Sequence, residues 1–257
     1  MYIDFKEYYN LYDVKVKVMG DLVEVFEYSD PIKVLKEGKS EPIKKRKSYT
    51  KAEKGTGDIR TDSLNRSFSR LMDLAITNHK DFKTFITLTF KENITDLDFA
   101  NYEFKKWIQR VKYNFNDFMY LGVPEFQKRG AVHYHLMTNL DLKSEIIELQ
   151  ENHVNMYDVK FWEHGFTSVF DLNLTDDNFS VALYMAKYFW KDIDNRLFGR
   201  RKILASRNLK NPDIIKFDSK EIEKIDKYIK NKQLEKQKTV INSSDYCPKK
   251  ITISTYK

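Results

Sequence analysis

The chain has 257 residues and a mass of 30.8 kDa, with 41% hydrophobic and 32% charged residues, enough for one or two folded domains with a sizeable core. Lys and Arg outnumber Asp and Glu by 45 to 38, a formal +7 that favours a polyanionic partner, nucleic acid foremost. A single cysteine, Cys247, excludes a disulfide framework and a CxxC metal module. Neither a run of ~18 apolar residues nor a basic-then-apolar start is present, so a cytoplasmic protein without a membrane segment is expected. The P-loop pattern GxxxxGK[ST] is absent as well, which removes that route to ATP hydrolysis.

Val14–Val18 and Leu22–Tyr28 alternate apolar and charged residues around Gly20-Asp21, a hairpin pattern. Lys33 to Asp58 is rich in charge and carries Lys44-Lys-Arg-Lys47, which reads as a basic linker closing an N-terminal segment, 1–60. Leu64, Phe68, Leu71 and Ala75 recur at helical spacing and predict a helix over 63–77. Residues 82–90 (FKTFITLTF) read as a strand with Thr87 and Thr89 on one face. Thr95-Asp-Leu-Asp98 resembles a capping box and opens a second helix, about 96–114. Residues 118–126 and 131–137 form two strand-like runs around a Gly-containing turn, followed by a polar helical segment over 144–152 and a strand over 166–172. A helix over 180–192 completes a main domain, 61–212, and the remainder, 213–257, reads as a charged tail with one helix near 218–237. The order β-α-β-β-α-β-α predicts an α+β fold, an antiparallel sheet flanked by helices.

Two features carry chemistry. Side chains alternate along a strand, so His133 and His135 share a face while Tyr134 points away. If Lys128-Arg129-Gly130 is a three-residue loop with Gly130 left-handed, Glu125 stands opposite His133 and becomes the third ligand; a two-residue loop would break that register, and Gln127 shares Glu125's parity. Two imidazoles and a carboxylate suit Mg²⁺ or Mn²⁺ in an open, catalytic site. In the helix, Tyr184, Lys187, Tyr188 and Lys191 fall at i, i+3, i+4 and i+7 and share one face, with Ala182, Leu183, Met185, Ala186, Phe189 and Trp190 on the other. A phenol is a poor nucleophile at neutral pH, but a nearby ammonium and a metal-polarised phosphate make it a competent one.

Together these residues resemble the rolling-circle replication initiators of the HUH endonuclease superfamily. Arg129-Gly-Ala-Val-His133-Tyr-His135 is similar to the family's metal motif, Ile86-Thr-Leu-Thr89 to its first motif, and Tyr184-Met-Ala-Lys187-Tyr188-Phe-Trp-Lys191 to its two-tyrosine motif, in the family's order. The resemblance implies a palm-like sheet, His133, His135 and Glu125 as ligands of Mg²⁺ or Mn²⁺, Tyr184 or Tyr188 as nucleophile, and Lys187 and Lys191 supporting phosphate charge. It further implies nicking and rejoining of single-stranded origin DNA through a 5′-phosphotyrosine, with a separate helicase and polymerase as partners. A mobilisation relaxase or transposase would share this chemistry, and a non-catalytic nucleic-acid binder is the reading from another class. Arg129 and the basic residues Arg200, Arg201, Lys202, Arg207 and Lys210 are expected to contact DNA phosphates.

Overall fold

The computed structural model describes residues 9–38, 59–150, 156–174, 178–191, 194–242 and 248–257. The chain divides into two compact units, one made of Met1–Thr50 with Pro212–Lys257 and the other of Lys51–Asn211. Both contain an antiparallel sheet, which makes the fold α+β, and no helix among the described residues is long and apolar enough to cross a membrane.

The larger unit is built on a seven-stranded sheet. Its strands are β3 (Thr84–Thr89), β4 (Tyr120–Phe126), β5 (Val132–Thr138), β6 (Ile147–Leu149), β7 (Tyr157–Val159), β8 (Thr167–Asp171) and β9 (Leu204–Ala205), in the order β6-β7-β8-β3-β5-β4-β9. Three helices pack on it: α1 (Thr61–Thr77), α2 (Leu97–Asn114) and α3 (Asn178–Lys191). Strand alternation divides the side chains between two cores. Ile86, Leu88, Tyr134 and Leu136 meet Phe104, Trp107, Ile108 and Val111 of α2 on one face. Phe85, Leu121, Val123 and Met137 meet Leu71, Leu74 and Ala75 of α1 and Ala182, Met185 and Phe189 of α3 on the other. The sheet is thereby covered on both sides, with α1 and α3 sharing one of them.

Three expectations need correction. The cap of α2 is Asp96, not Thr95: its carboxylate accepts from Asp98 N at 2.8 Å and Phe99 N at 3.4 Å. No helix forms at 144; Asp141 and Ser144 instead make a turn, with Lys143 N donating to Asp141 Oδ1 and Ile147 N to Ser144 O, after which β6 pairs with β7 and Ile146 and Ile147 enter the core. The predicted 218–237 helix shrinks to α4 (Glu223–Ile229), and strands flank it.

Those strands complete the smaller unit. β1 (Tyr9–Met19) and β2 (Leu22–Leu35) form the expected hairpin, turning through Gly20 at φ +59°. β10 (Asp213–Phe217), β11 (Leu234–Ile241) and β12 (Lys250–Tyr256) join it in the order β10-β1-β2-β12-β11. N-terminal hairpin and C-terminal tail are therefore one five-stranded sheet. Val14, Val16, Val23, Val25 and Phe217 pack against Ile225, Tyr228 and Ile229 of α4 on one of its faces. The basic stretch around Lys44 lies outside the described residues.

Candidate active site

The β4–β5 hairpin turns as its sequence requires. Gly130 takes φ +90°, Gly130 N donates to Gln127 O at 2.7 Å, and Gln127 N to Ala131 O at 2.9 Å, so Lys128-Arg129-Gly130 is a three-residue loop. That loop length sets the register Glu125↔His133, Val123↔His135. On the other side of β5, Thr89 pairs with His133 and Thr87 with His135. The row Thr89, His133, Glu125 thus crosses three strands on the face that carries α3. Tyr134 points the other way, buried against Phe104 with its hydroxyl donating to Asn101 Oδ1 at 2.9 Å.

Glu125, His133 and His135 are only 5%, 7% and 4% exposed. His135 is held from both ends, Nε2 lying 2.5 Å from Glu125 Oε2 and Nδ1 3.2 Å from Thr87 Oγ1. With Glu125 ionised the carboxylate accepts, so Nε2 carries the ring proton and Nδ1 accepts from the Thr87 hydroxyl. The donor set, two imidazoles and a carboxylate on one sheet face, fits a divalent cation in kind. It is not a preformed cage: among the described residues no group of three or more His, Cys, Asp or Glu stands ready to hold a metal. Glu125 and His135 satisfy each other instead, and a cation would have to replace that hydrogen bond.

Helix α3 supplies the roof. The Tyr188 ring stacks on His135, centroids 3.8 Å apart and planes 24° from parallel. Tyr184 and Tyr188 hydroxyls lie 2.7 Å apart, and Phe85 supports both rings at 4.9 and 5.6 Å. Burial first, then the hydrogen bond and charge of Tyr184 and the charge of Glu125, hold the Tyr188 phenol above the ordinary tyrosine range, so it is neutral at pH 7. Tyr184 is the more accessible of the two at 43% exposure. A cleft of about 560 Å³ opens here, lined by Glu125, His133, His135 and Tyr188 together with Gln127, Lys128 and Arg129.

The structure gathers most of the expected residues and disperses others. Lys187 is exposed on α3, with no hydrogen bond to either phenol among the described residues, and the Lys191 side chain lies outside them. Leu183 and Trp190, expected on the sheet side of the helix, are 49% and 41% exposed. Arg129 does reach the cleft, its guanidinium donating to Gln127 Oε1 at 3.0 Å and Phe90 O at 2.9 Å.

The segment 199–210 does not form one basic patch. Arg200 pairs with Asp98, and Lys210 pairs with Asp81 at 3.0 Å while its backbone clasps Asn78. Lys202 is buried, which lowers its ammonium pKa, and only Arg201 and Arg207 of the five are both exposed and outside these pairs. The cause is β9, which pairs with β4 and turns alternate side chains inward, with Leu209 in the core.

Sequence reasoning missed Phe85, Lys128, and Thr87's hold on His135. It also missed Arg196, whose guanidinium lies 3.6 Å over the Phe126 ring, pairs with Asp194 at 2.6 Å and donates to Gly130 O at 3.1 Å, bracing the hairpin turn. Phe166 and Phe170, 79% and 54% exposed, escaped notice too, although β8 places them in register with the β3 residues beside the histidines. Their shared parity in Phe166-Thr-Ser-Val-Phe170 was the available signal.

Residues 83–193, from β3 through α3, match the family model for the replication-associated protein ORF2. The matched stretch is under half of the chain and contains the hairpin, both histidines and both tyrosines. This similarity supports a role in replication initiation. No curated protein and no solved structure matches the chain.

Proposed function

We propose that the protein is a metal-dependent tyrosine nickase and ligase of the HUH type, which opens and rejoins single-stranded DNA at an origin to start rolling-circle replication. The observation that carries this reading is the pair of phenols stacked over His135, beside His133 and Glu125, in one cleft. The match to replication-associated proteins over the same residues supports it.

In this mechanism His133, His135 and Glu125 hold Mg²⁺ or Mn²⁺, which when bound polarises the scissile phosphate as a Lewis acid. A tyrosine Oη attacks phosphorus, the Oη–P bond forms and the P–O3′ bond breaks. The phenol proton ends on the departing 3′ oxygen, leaving a 5′-phosphotyrosine and a free 3′-OH. The 2.7 Å contact between the two hydroxyls gives the attacking phenol a neighbour that can take or return a proton. Lys128 and Arg129 line the cleft and supply positive charge toward the phosphate. The reverse attack by the 3′-OH reseals the strand, so no ATP is consumed, and unwinding falls to a separate helicase.

The test is to incubate the protein and Mn²⁺ with labelled single-stranded oligonucleotides tiled across the element that carries its gene. A covalent adduct on a denaturing gel is expected, lost with EDTA and in the Tyr184→Phe, Tyr188→Phe double variant. An adduct that survives the double substitution overturns the reading, and the single variants identify the nucleophile.

A further inference from the structure

In the five-stranded sheet, α4 takes the face formed by Val14, Val16, Val23 and Val25. The opposite face carries a row that crosses all five strands. By register, Lys216 of β10 stands beside Lys15 of β1, Lys15 beside Phe26 of β2, Phe26 beside Ile253 of β12, and Ile253 beside Lys238 of β11. Cations therefore stand at both ends of the row and an aromatic and an aliphatic side chain at its centre. The next row places Lys236 at the same edge as Lys238, and its one acid, Glu24, is neutralised by Lys17 at 2.8 Å.

Lys216, Lys236 and Lys238 are exposed. At the centre the Lys15 ammonium lies 3.6 Å from the Phe26 ring centroid, and the Phe26 and Tyr28 rings lie 6.5 Å apart with planes only 15° from parallel. Two nearly coplanar rings bordered by lysines provide the elements of a single-strand platform: flat apolar surface for bases and flanking ammoniums for the backbone. Duplex DNA, with its bases stacked inside, could use only the lysines.

We propose that this sheet face is a second, non-catalytic binding site, separate from the phenol cleft, and that its ligand is single-stranded DNA. Lys216, Lys236 and Lys238 contact phosphates, and Phe26 with Tyr28 stacks bases. The inference does not depend on the cleavage chemistry.

The experiment measures fluorescence anisotropy of labelled oligo-dT with the full-length protein in EDTA, where cleavage is silent, across a salt series. The Lys216→Gln, Lys236→Gln, Lys238→Gln variant should bind about tenfold more weakly, and its log–log salt slope should fall in magnitude by about 2, near 0.7 for each phosphate no longer neutralised. Phe26→Leu keeps an apolar side chain and removes the ring; it should weaken binding about fivefold with the slope unchanged. An equal charge change on the other face, Lys220→Gln, Lys224→Gln, Lys227→Gln, should leave most of the affinity intact. Thermal melts confirm that each variant is folded.

Equal losses from the two triple variants, or no loss from Phe26→Leu, would overturn the proposal. So would equal weakening of duplex DNA or of polyglutamate by the sheet-face variants, since either marks a surface for polyanions in general. Because adduct formation is not read here, failure of this inference and failure of the nickase reading are separable.

Discussion

Tyr188 lies flat on His135, ring centroids 3.8 Å apart, so a residue proposed as a nucleophile is also a packing partner of a proposed ligand. Substitutions at Tyr188 therefore act on two properties that can be measured separately. Tyr188→Phe keeps the stack and removes a partly exposed hydroxyl contact with Tyr184, and should cost no more than about 1 kcal/mol in denaturant unfolding. Tyr188→Ala removes the half-buried ring as well and should cost about 2–3 kcal/mol. If Tyr188 attacks, both variants lose adduct formation, but only the alanine variant changes the His135 imidazole signals in NMR.

Cation binding at His135 requires the ring proton to leave Nε2, which now faces Glu125. The nearest place for it is Nδ1, where the Thr87 hydroxyl would turn from donor to acceptor. Thr87→Val removes that acceptor and should weaken Mn²⁺ binding about tenfold or more, whereas Thr87→Ser should keep it. Calorimetric titration with Mn²⁺ reads both variants, and equal affinity for Val and Ser would contradict the proton relocation.

Gly122 sits opposite Leu136, one residue from His135. A Cβ there would collide with Leu136 Cδ2 and lie 2.5 Å from the His135 carbonyl oxygen, which belongs to the backbone and cannot rotate away. Gly122→Ala should destabilise the protein by about 1–3 kcal/mol and shift β5 where it holds His135. Adduct yield should then fall at temperatures well below the midpoint of thermal unfolding.

Asp194 is held below the usual carboxylate range, chiefly by its hydrogen bond from Arg196, whose guanidinium also braces the turn at Gly130. A depressed folded-state pKa adds stability above the unfolded value, near 3.9, and loses it as pH falls through the folded value. Asp194→Asn should therefore melt earlier than wild type at pH 7, by roughly 1–3 kcal/mol. The gap should close at acid pH below the carboxylate range, and a gap constant with pH would exclude the ion pair as its source.

The sequence exposed the site better than the fold around it. Register at the hairpin followed from one short loop with Gly130, and His133, His135 and Glu125 took their places from it. The tyrosine helix was equally legible, because Ala182, Met185, Ala186 and Phe189 mark its buried side by spacing alone.

Other features depended on distant partners. β11 is exposed at every residue, so no alternation of burial distinguishes Leu234–Ile241 from a charged helix. It becomes a strand through pairing with β12, which pairs in turn with β2, more than 200 residues earlier in the chain. The cations of 199–210 misled for a similar reason. Composition does not reveal that β9 lies against β4 and turns Lys202 inward.

The five-stranded sheet also constrains the order in which the protein can form on the ribosome. β1 and β2 are made first, and both edges of that hairpin lack partners until residues 213–256 have been synthesised. In the interval the 51–211 unit, whose core pairings are all internal, can already fold. The nascent chain thus carries an open two-stranded ribbon, with Val14, Val16, Val23 and Val25 uncovered, through the whole synthesis of the unit that holds the cleft. Slow translation or early termination before β10 should therefore aggregate the product through its first strands, even when the phenol cleft has formed correctly.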